Sequence, residues 1–350
     1  MEFGLNFFPD VGPDEKSASE YWSEALYLTG LCDELGFAHT RTVEHYFHRY
    51  GGYSPNPLLY LAAASQRTKK ARLVTGAILP VFNSPLKIAA EIAEVDAISG
   101  GRLDVGFARA FLPHEFRRWG RSLDESRARF DEGIEMVRRL LEEEQVTMKG
   151  QFHSFEGATS LPRPTQKPRP GFWIAASSTD ESFINAGRLG HGLMTFPRET
   201  AQVKHWIDLY RKSWRDDGHP GNGRVMIAFH MFCAATDGAA ADKARGPINA
   251  YMRSLVDANS DWGAGASSKD YPHHPKMIEN LRKVDFEKLL AGGGAWVGSP
   301  STIRDKIKWF NDMVGGFEVA SLQVNSHTQL VTEAEASMRM FSAEVMPHFR

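Results

Sequence analysis

Apolar positions change period along the chain in a regular way. Residues 3–8 form a short apolar run, residues 19–36 space their apolar side chains at helical intervals and end in glycine, and residues 38–43 return to a short run. The exchange continues, strand-like at 71–79, 102–107, 171–176, 192–196 and 225–234. Between these lie helical spacings at 57–68, 86–99, 124–144, 179–189, 200–216 and 238–256. Alternation this persistent predicts an α/β fold with a mainly parallel sheet covered by helices. About eight such units close a (β/α)8 TIM barrel.

Two segments interrupt the rhythm. Residues 146–170 carry Pro162, Pro164, Pro168 and Pro170 among polar residues, which predicts a β-excursion or loop inserted before the fifth strand. Residues 257–300, rich in Gly, Ser and His, follow the seventh strand and hold a helical piece at 275–290. An insertion of that length fits either a lid or a surface segment. No break in composition divides the chain, so one barrel domain over 1–350 is expected.

Composition adds bounds rather than detail. With 350 residues, 42% hydrophobic and 24% charged, the chain is long enough to bury a core. A net charge of -2 gives no general attraction to nucleic acid or anionic lipid, and no apolar stretch approaches the ~20 residues of a membrane span. Neither partner is expected. The two cysteines, Cys32 and Cys233, lie in apolar runs, which fits buried thiols in a reducing cytoplasm rather than a disulfide framework. The N-terminal M-E-F-G-L-N-F-F-P has an acid and no basic region, and reads as a first strand rather than a secretory signal.

Candidate chemistry falls at the C-terminal ends of the strands, where barrels of this kind bind ligands. Arg109 follows the strand at 102–107; its guanidinium suits either a bidentate grip on phosphate or an acid on the rim. Ser177, Ser178 and Thr179 join the strand at 171–176 to a helix starting near Asp180. Hydroxyls and unpaired N–H groups at a helix start suit an anion, and the same residues are favoured N-caps. Asp180 and Glu181 repel a phosphate there unless they point outward. In V-E-H-Y-F-H, His45 fits a general base near neutral pH or a hydrogen-bonded rim residue. Glu44, His45, His48 and His114 could neighbour one another as metal ligands, but no second ligand set has recognisable spacing, so no metal is expected. Gly76 in T-G-A-I suits close approach of a ligand or tight packing. No G-x-G-x-x-G follows a strand, so no nicotinamide site is expected.

These segments, in order, resemble the bacterial luciferase-like flavin monooxygenases nearly end to end. The matching pieces are M-x-F-G-L, V-E-H-Y-F, T-G-A-I-L-P, D-x-I-S-G-G-R-L-D-V-G-F-A-R-A, W-I-A-A-S-S-T, W-V-G-S-P and M-R-M-F-S-A-E-V-M-P-H-F. The resemblance implies flavin mononucleotide (FMN) at the barrel's C-terminal mouth. Arg109, Ser178, Thr179 and Ser182, with neighbouring Ser177, fall at the family's phosphate site, and Gly76–Ala77 at its non-prolyl cis peptide beneath the flavin ring. His45 matches the histidine used in the oxidative reaction. Ala108 stands where luciferase has a reactive cysteine, Ala110 replaces a usual glycine and Tyr46 a second histidine, so light emission is not expected.

The activity implied is that of a two-component monooxygenase. Reduced FMN from a separate flavin reductase reacts with O2 to a C4a-peroxyflavin, which oxygenates a small organic molecule. Phe111, with Phe47, Phe82 and Trp119, hints at an apolar or aromatic substrate, and Tyr271, His273 and His274 fall on the candidate lid. Small residues Ala89, Ala93 and Ala97 line one face of the helix at 86–99 and permit close packing against either the barrel or a second subunit; the family's habit implies a homodimer through this part of the barrel. Two other readings compete: a deazaflavin-dependent oxidoreductase on the same barrel, and a non-catalytic flavin-binding protein.

Overall fold

Parallel neighbours need a crossover between them, and each strand of the barrel here is followed by a helix that supplies it. The computed structural model describes residues 1–349. It begins β1 (Glu2–Phe7), α1 (Ala18–Gly30), α2 (Cys32–Leu35), β2 (His39–Thr42), α3 (Pro57–Arg67), β3 (Arg72–Ile78), α4 (Pro85–Ile98) and β4 (Leu103–Phe107). Next come α5 (Pro113–Arg118), α6 (Ser126–Glu142), the hairpin β5 (Val146–Lys149) and β6 (Ser154–Ala158), β7 (Gly171–Ala175), α7 (Asp180–Arg188), β8 (Gly192–Thr195), α8 (Thr200–Asp216) and β9 (Val225–Cys233). The chain ends with α9 (Asp237–Ala258), α10 (Ser260–Gly263), α11 (His274–Leu281), α12 (Phe286–Ala291), β10 (Ala295–Gly298), α13 (Pro300–Met313), β11 (Val319–Gln323) and α14 (Val331–Glu344).

Pairing runs β1-β2-β3-β4-β7-β8-β9-β11 and back to β1, which closes an eight-stranded parallel barrel. Strand β10 is an addition, laid against the C-terminal half of β9 from His230 to Cys233. Side chains alternate across the wall. From β1, Phe3 meets Phe341 of α14 with ring centroids 5.3 Å apart and Phe7 meets Tyr60 of α3 at 5.8 Å, while Asn6 turns inward. The interior is filled by a layer of Val74, Trp173, Met194, Met226 and Val319. Gly106 lies so close to its neighbours that a Cβ there would sit 2.3 Å from the Thr75 carbonyl oxygen and 2.9 Å from Met194.

The S-G-G-R-L segment has a structural role. Gly100 and Gly101 take φ of 67° and 81°, left-handed values that turn the chain from α4 into β4 at no cost to glycine. Arg102 then donates to the carbonyls of Ser65, Thr68, Ala71 and Ser99, tying the end of α3 to the start of β3. At the same end of the barrel Arg72 grips Asp104 through Nε and Nη2 at 2.7 and 2.6 Å.

Some expectations are corrected. The helical run at 19–36 breaks at Leu31 into α1 and α2, and 275–290 splits into α11 and α12. As expected, residues 146–170 form a β-excursion, the β5–β6 hairpin, and a loop, while 257–300 mixes the short helices α10, α11 and α12 with turns before β10. The periodic pattern leaves α5, β10, α13, β11 and α14 unassigned. In β11, V-A-S-L-Q, Val319, Ser321 and Gln323 face the interior and Ala320 and Leu322 the helices; every position is buried, and the apolar–polar alternation has polar residues pointing into the barrel rather than to solvent. Of the two readings of the small-residue face, the one against the barrel holds for Ala89 and Ala93, which are wholly buried within the chain, while Ala97 is exposed. Cys32 and Cys233 are free and buried, with burial pushing the Cys233 thiol up to about 12. Among the described residues no helix is long and apolar enough to cross a membrane.

Because the atom facing Gly106 is backbone, Gly106→Ala is expected to cost about 1–3 kcal/mol, the range for overpacking a core. The urea midpoint falls with its slope unchanged if the barrel persists.

Candidate active site

Strands β4 and β7 are neighbours, with Phe107 opposite Ile174, so the segments that follow them emerge side by side at the C-terminal mouth. Arg109 lies there half-buried, and among the described residues no carboxylate pairs with it. Its Nη1 is 3.5 Å from the Asp270 carbonyl oxygen, and its guanidinium covers the Tyr271 ring at 4.8 Å. Burial holds its pKa below the usual arginine value. Ser177, Ser178, Thr179 and Ser182 are half-buried at the start of α7, with the Thr179 and Ser182 hydroxyls 2.9 Å apart. The two acids of that turn are drawn away: Asp180 accepts from His205 and Trp206 of α8 at 3.1 Å, and Glu181 pairs with Arg127 at 3.2 Å. What remains facing the mouth is a guanidinium, hydroxyls and the positive end of a helix, an arrangement suited to an anion.

His45 follows β2 and is held from one side. Its Nδ1 donates to Glu115 Oε1 of α5 at 3.1 Å, and the same oxygen accepts the Tyr46 N–H at 2.8 Å. Glu115 is fully buried. Nε2 of His45 has no protein partner among the described residues. The rings of Tyr50, Phe8 and Phe111 surround the imidazole, with centroids at 5.3, 5.8 and 5.9 Å. Glu44 points the other way and accepts from Tyr46 Oη at 2.5 Å, Asn83 Nδ2 at 2.8 Å and Leu79 N at 3.1 Å. Burial raises the Glu44 carboxyl to about 8, against the pull of those three donors. Glu44, His45, His48 and His114 are thus spread over separate bonds, and among the described residues no three His, Cys, Asp or Glu side chains gather as a metal site.

The peptide Gly76–Ala77 is cis. A Cβ on Gly76 would fall 2.4 Å from Arg41 Nε, so glycine is required for Arg41 to lie against the backbone. Ala108 is half-buried at the tip of β4, and Ala110 takes a left-handed φ of 61°, a conformation that glycine adopts more cheaply.

The segment after α9 closes over this corner. Trp262, Tyr271 and Ile278 form a buried cluster that reaches Phe111 and Leu123. Tyr271 Oη donates to the Ala110 carbonyl at 2.6 Å and Trp262 Nε1 to the Phe111 carbonyl at 3.0 Å. His274 packs on both rings, and burial pushes its pKa down to about 4. His273 is exposed at the cap of α11 and does not join them. Phe47 and Trp119 are exposed, and Phe82 packs on Phe116 and Trp119. Of the aromatic residues singled out from sequence, only Phe111 reaches His45.

Sequence reasoning passed over Glu115, Asn83 and Arg41. The signal for Glu115 was an acid in the H-E-F-R-R-W-G segment directly after Arg109, on a turn too short to show a helical period.

A family model described as luciferase-like monooxygenase matches residues 1–315. The oxygenase component of a flavin-dependent trigonelline monooxygenase from Acinetobacter baylyi is 26% identical, over 100% of this chain and 96% of that protein. The solved structure of the monooxygenase RslO1 from Streptomyces bottropensis is 42% identical with a TM-score of 0.89, covering 100% of both chains. The oxygenating constituent of 3,6-diketocamphane monooxygenase from Pseudomonas putida, 22% identical and covering 99% of this chain and 98% of that one, shares the fold at a TM-score of 0.84. Matched by the family model from residue 1 to 315, this chain belongs to the luciferase-like, flavin-dependent monooxygenase family.

Proposed function

We propose that this protein is the oxygenase half of a two-component system. It takes reduced FMN from a separate flavin reductase and uses O2 to place one oxygen atom on a small apolar or ring-bearing substrate, the other leaving as water. The observation that carries this reading is Arg109, a half-buried cation without a carboxylate partner among the described residues, set beside the hydroxyls of α7 at the ligand-binding end of the barrel. The name of the Acinetobacter baylyi relative, an oxygenase component, supports the separate reductase.

The residues fit a phosphorylated flavin. Arg109, Ser178, Thr179 and Ser182, with Ser177 alongside, offer donors to the phosphate, and Asp180 and Glu181 are engaged elsewhere. Gly76, Ala77 and Ala108 leave the strand ends low enough for a ring to approach. Bound reduced FMN supplies the electrons that activate O2. His45 carries the proton work: Glu115 keeps the proton on Nδ1, so Nε2 stands as an acceptor toward the aromatic surround of Phe8, Tyr50 and Phe111. The segment carrying Trp262, Tyr271 and His274 serves as a lid that excludes water, with Phe111 as the contact it closes upon. A homodimer belongs to the same reading, supported by the exposed apolar Leu59 on α3 and Leu86 on neighbouring α4.

The deciding experiment mixes the protein, loaded with reduced FMN, rapidly with O2 and follows flavin absorbance. Slow return of oxidised flavin, hastened by substrate, is expected. Reoxidation as fast as in buffer removes the oxygenase reading, and binding of reduced deazaflavin but not FMN moves the oxidoreductase alternative ahead. In the same assay His45→Ala is expected to lower turnover by about 10²-fold or more with FMN affinity retained, the scale of a lost general base. For Arg109→Ala, FMN affinity is expected to weaken by roughly 10- to 100-fold, the worth of hydrogen bonds to a charged group. Riboflavin, which has no phosphate, is the control in that titration; an equal loss for both ligands rules out the phosphate assignment.

A further inference from the structure

Four neighbouring strands each place one polar residue at the same height on the barrel's inner wall. In register, His230 of β9 stands beside Gln323 of β11, Gln323 beside Asn6 of β1, and Asn6 beside Arg41 of β2. Three of the four are connected: Arg41 Nε donates to Asn6 Oδ1 at 3.1 Å and Asn6 Nδ2 to Gln323 Oε1 at 3.4 Å. Arg41 Nη1 rests on the Met226 thioether at 3.7 Å. Among the described residues no carboxylate meets Arg41, and the buried Gln323 Nε2 has no partner. Asn6, Arg41 and Gln323 are each no more than 4% exposed.

A buried cation without a counter-ion is costly, and such charges persist where a ligand completes them. Burial lowers the Arg41 pKa only to about 10, so the side chain stays charged at neutral pH. His230, at the far end of the row from Arg41, is pushed down to about 4 by burial and stays neutral. Arg41 also lies directly against Gly76, the residue proposed to sit beneath the flavin ring.

We propose that Arg41 is the counter-charge for the reduced flavin ring, so that the barrel selects reduced over oxidised FMN; this rests on the flavin reading above. The oxidised ring is neutral, whereas the reduced ring readily loses its N1 proton and spreads a negative charge over N1 and the C2 carbonyl. A fixed guanidinium therefore stabilises one redox state and not the other, and the free Gln323 N–H offers a neutral donor to the same polar edge. By linkage, tighter binding of the reduced form raises the potential of the bound flavin.

The test is anaerobic titration of the wild type, Arg41→Met and Arg41→Lys with oxidised and with reduced FMN. Wild type is expected to bind reduced FMN at least tenfold more tightly, Arg41→Met to lose that preference, and Arg41→Lys to keep most of it. Each tenfold of preference corresponds to about 30 mV in the two-electron potential of the bound flavin, which gives an independent readout. Arg41→Met that keeps the wild-type ratio, or Arg41→Lys that behaves as Arg41→Met, overturns the proposal while leaving the flavin site standing. Wild type that binds neither form overturns the flavin reading itself.

Discussion

Closure of the parallel sheet is the constraint on which everything else in this molecule depends. With β11 paired to β1 and β8 to β9, no strand edge is left among the eight, and every residue of the wall faces either the helices or the interior. Toward the N-terminal end the interior is filled by Val74, Trp173, Met194, Met226 and Val319, while the Arg72–Asp104 pair and the Arg102 staple secure the rim. Toward the C-terminal end the apolar layer gives way to Asn6, Arg41, Gln323 and His230, side by side on neighbouring strands, with Gly76 against Arg41.

Electrostatics divides that mouth into two regions. Acids are present but committed: Glu115 to His45 and the Tyr46 N–H, Glu44 to Tyr46 and Asn83, Asp180 to α8, Glu181 to Arg127. Two arginines are not: Arg109 at the tip of β4 and Arg41 within β2 have no carboxylate partner among the described residues. Cations left uncompensated in a partly desolvated mouth are the natural complement of a ligand with an anionic tail and an electron-rich ring.

Much of the architecture was legible in the chain because exchange between helical and strand-like spacing survives wherever an element has one solvent-facing side. The amphipathic run at 200–216 became α8 with its ends intact. Left unassigned were β11, a strand of five residues whose polar side chains point into the barrel, and α5, too short to show a period. At the site, Arg109, His45 and the Ser177–Ser182 turn stood out by position at strand ends, and the structure places them at one mouth. His273, named with Tyr271 and His274 on the candidate lid, is exposed, because adjacent positions on a helix turn point in different directions.

By itself, then, the sequence determined the class of fold, the strand ends that carry chemistry and the family resemblance, since each of these is written in local spacing and short motifs. Only the tertiary structure decided which groups are paired and which are left free. Glu115 lies 70 positions from His45, and Gln323 lies 317 from Asn6. Barrel closure brings them together, and local periodicity carries no information about a partner that arrives from another strand.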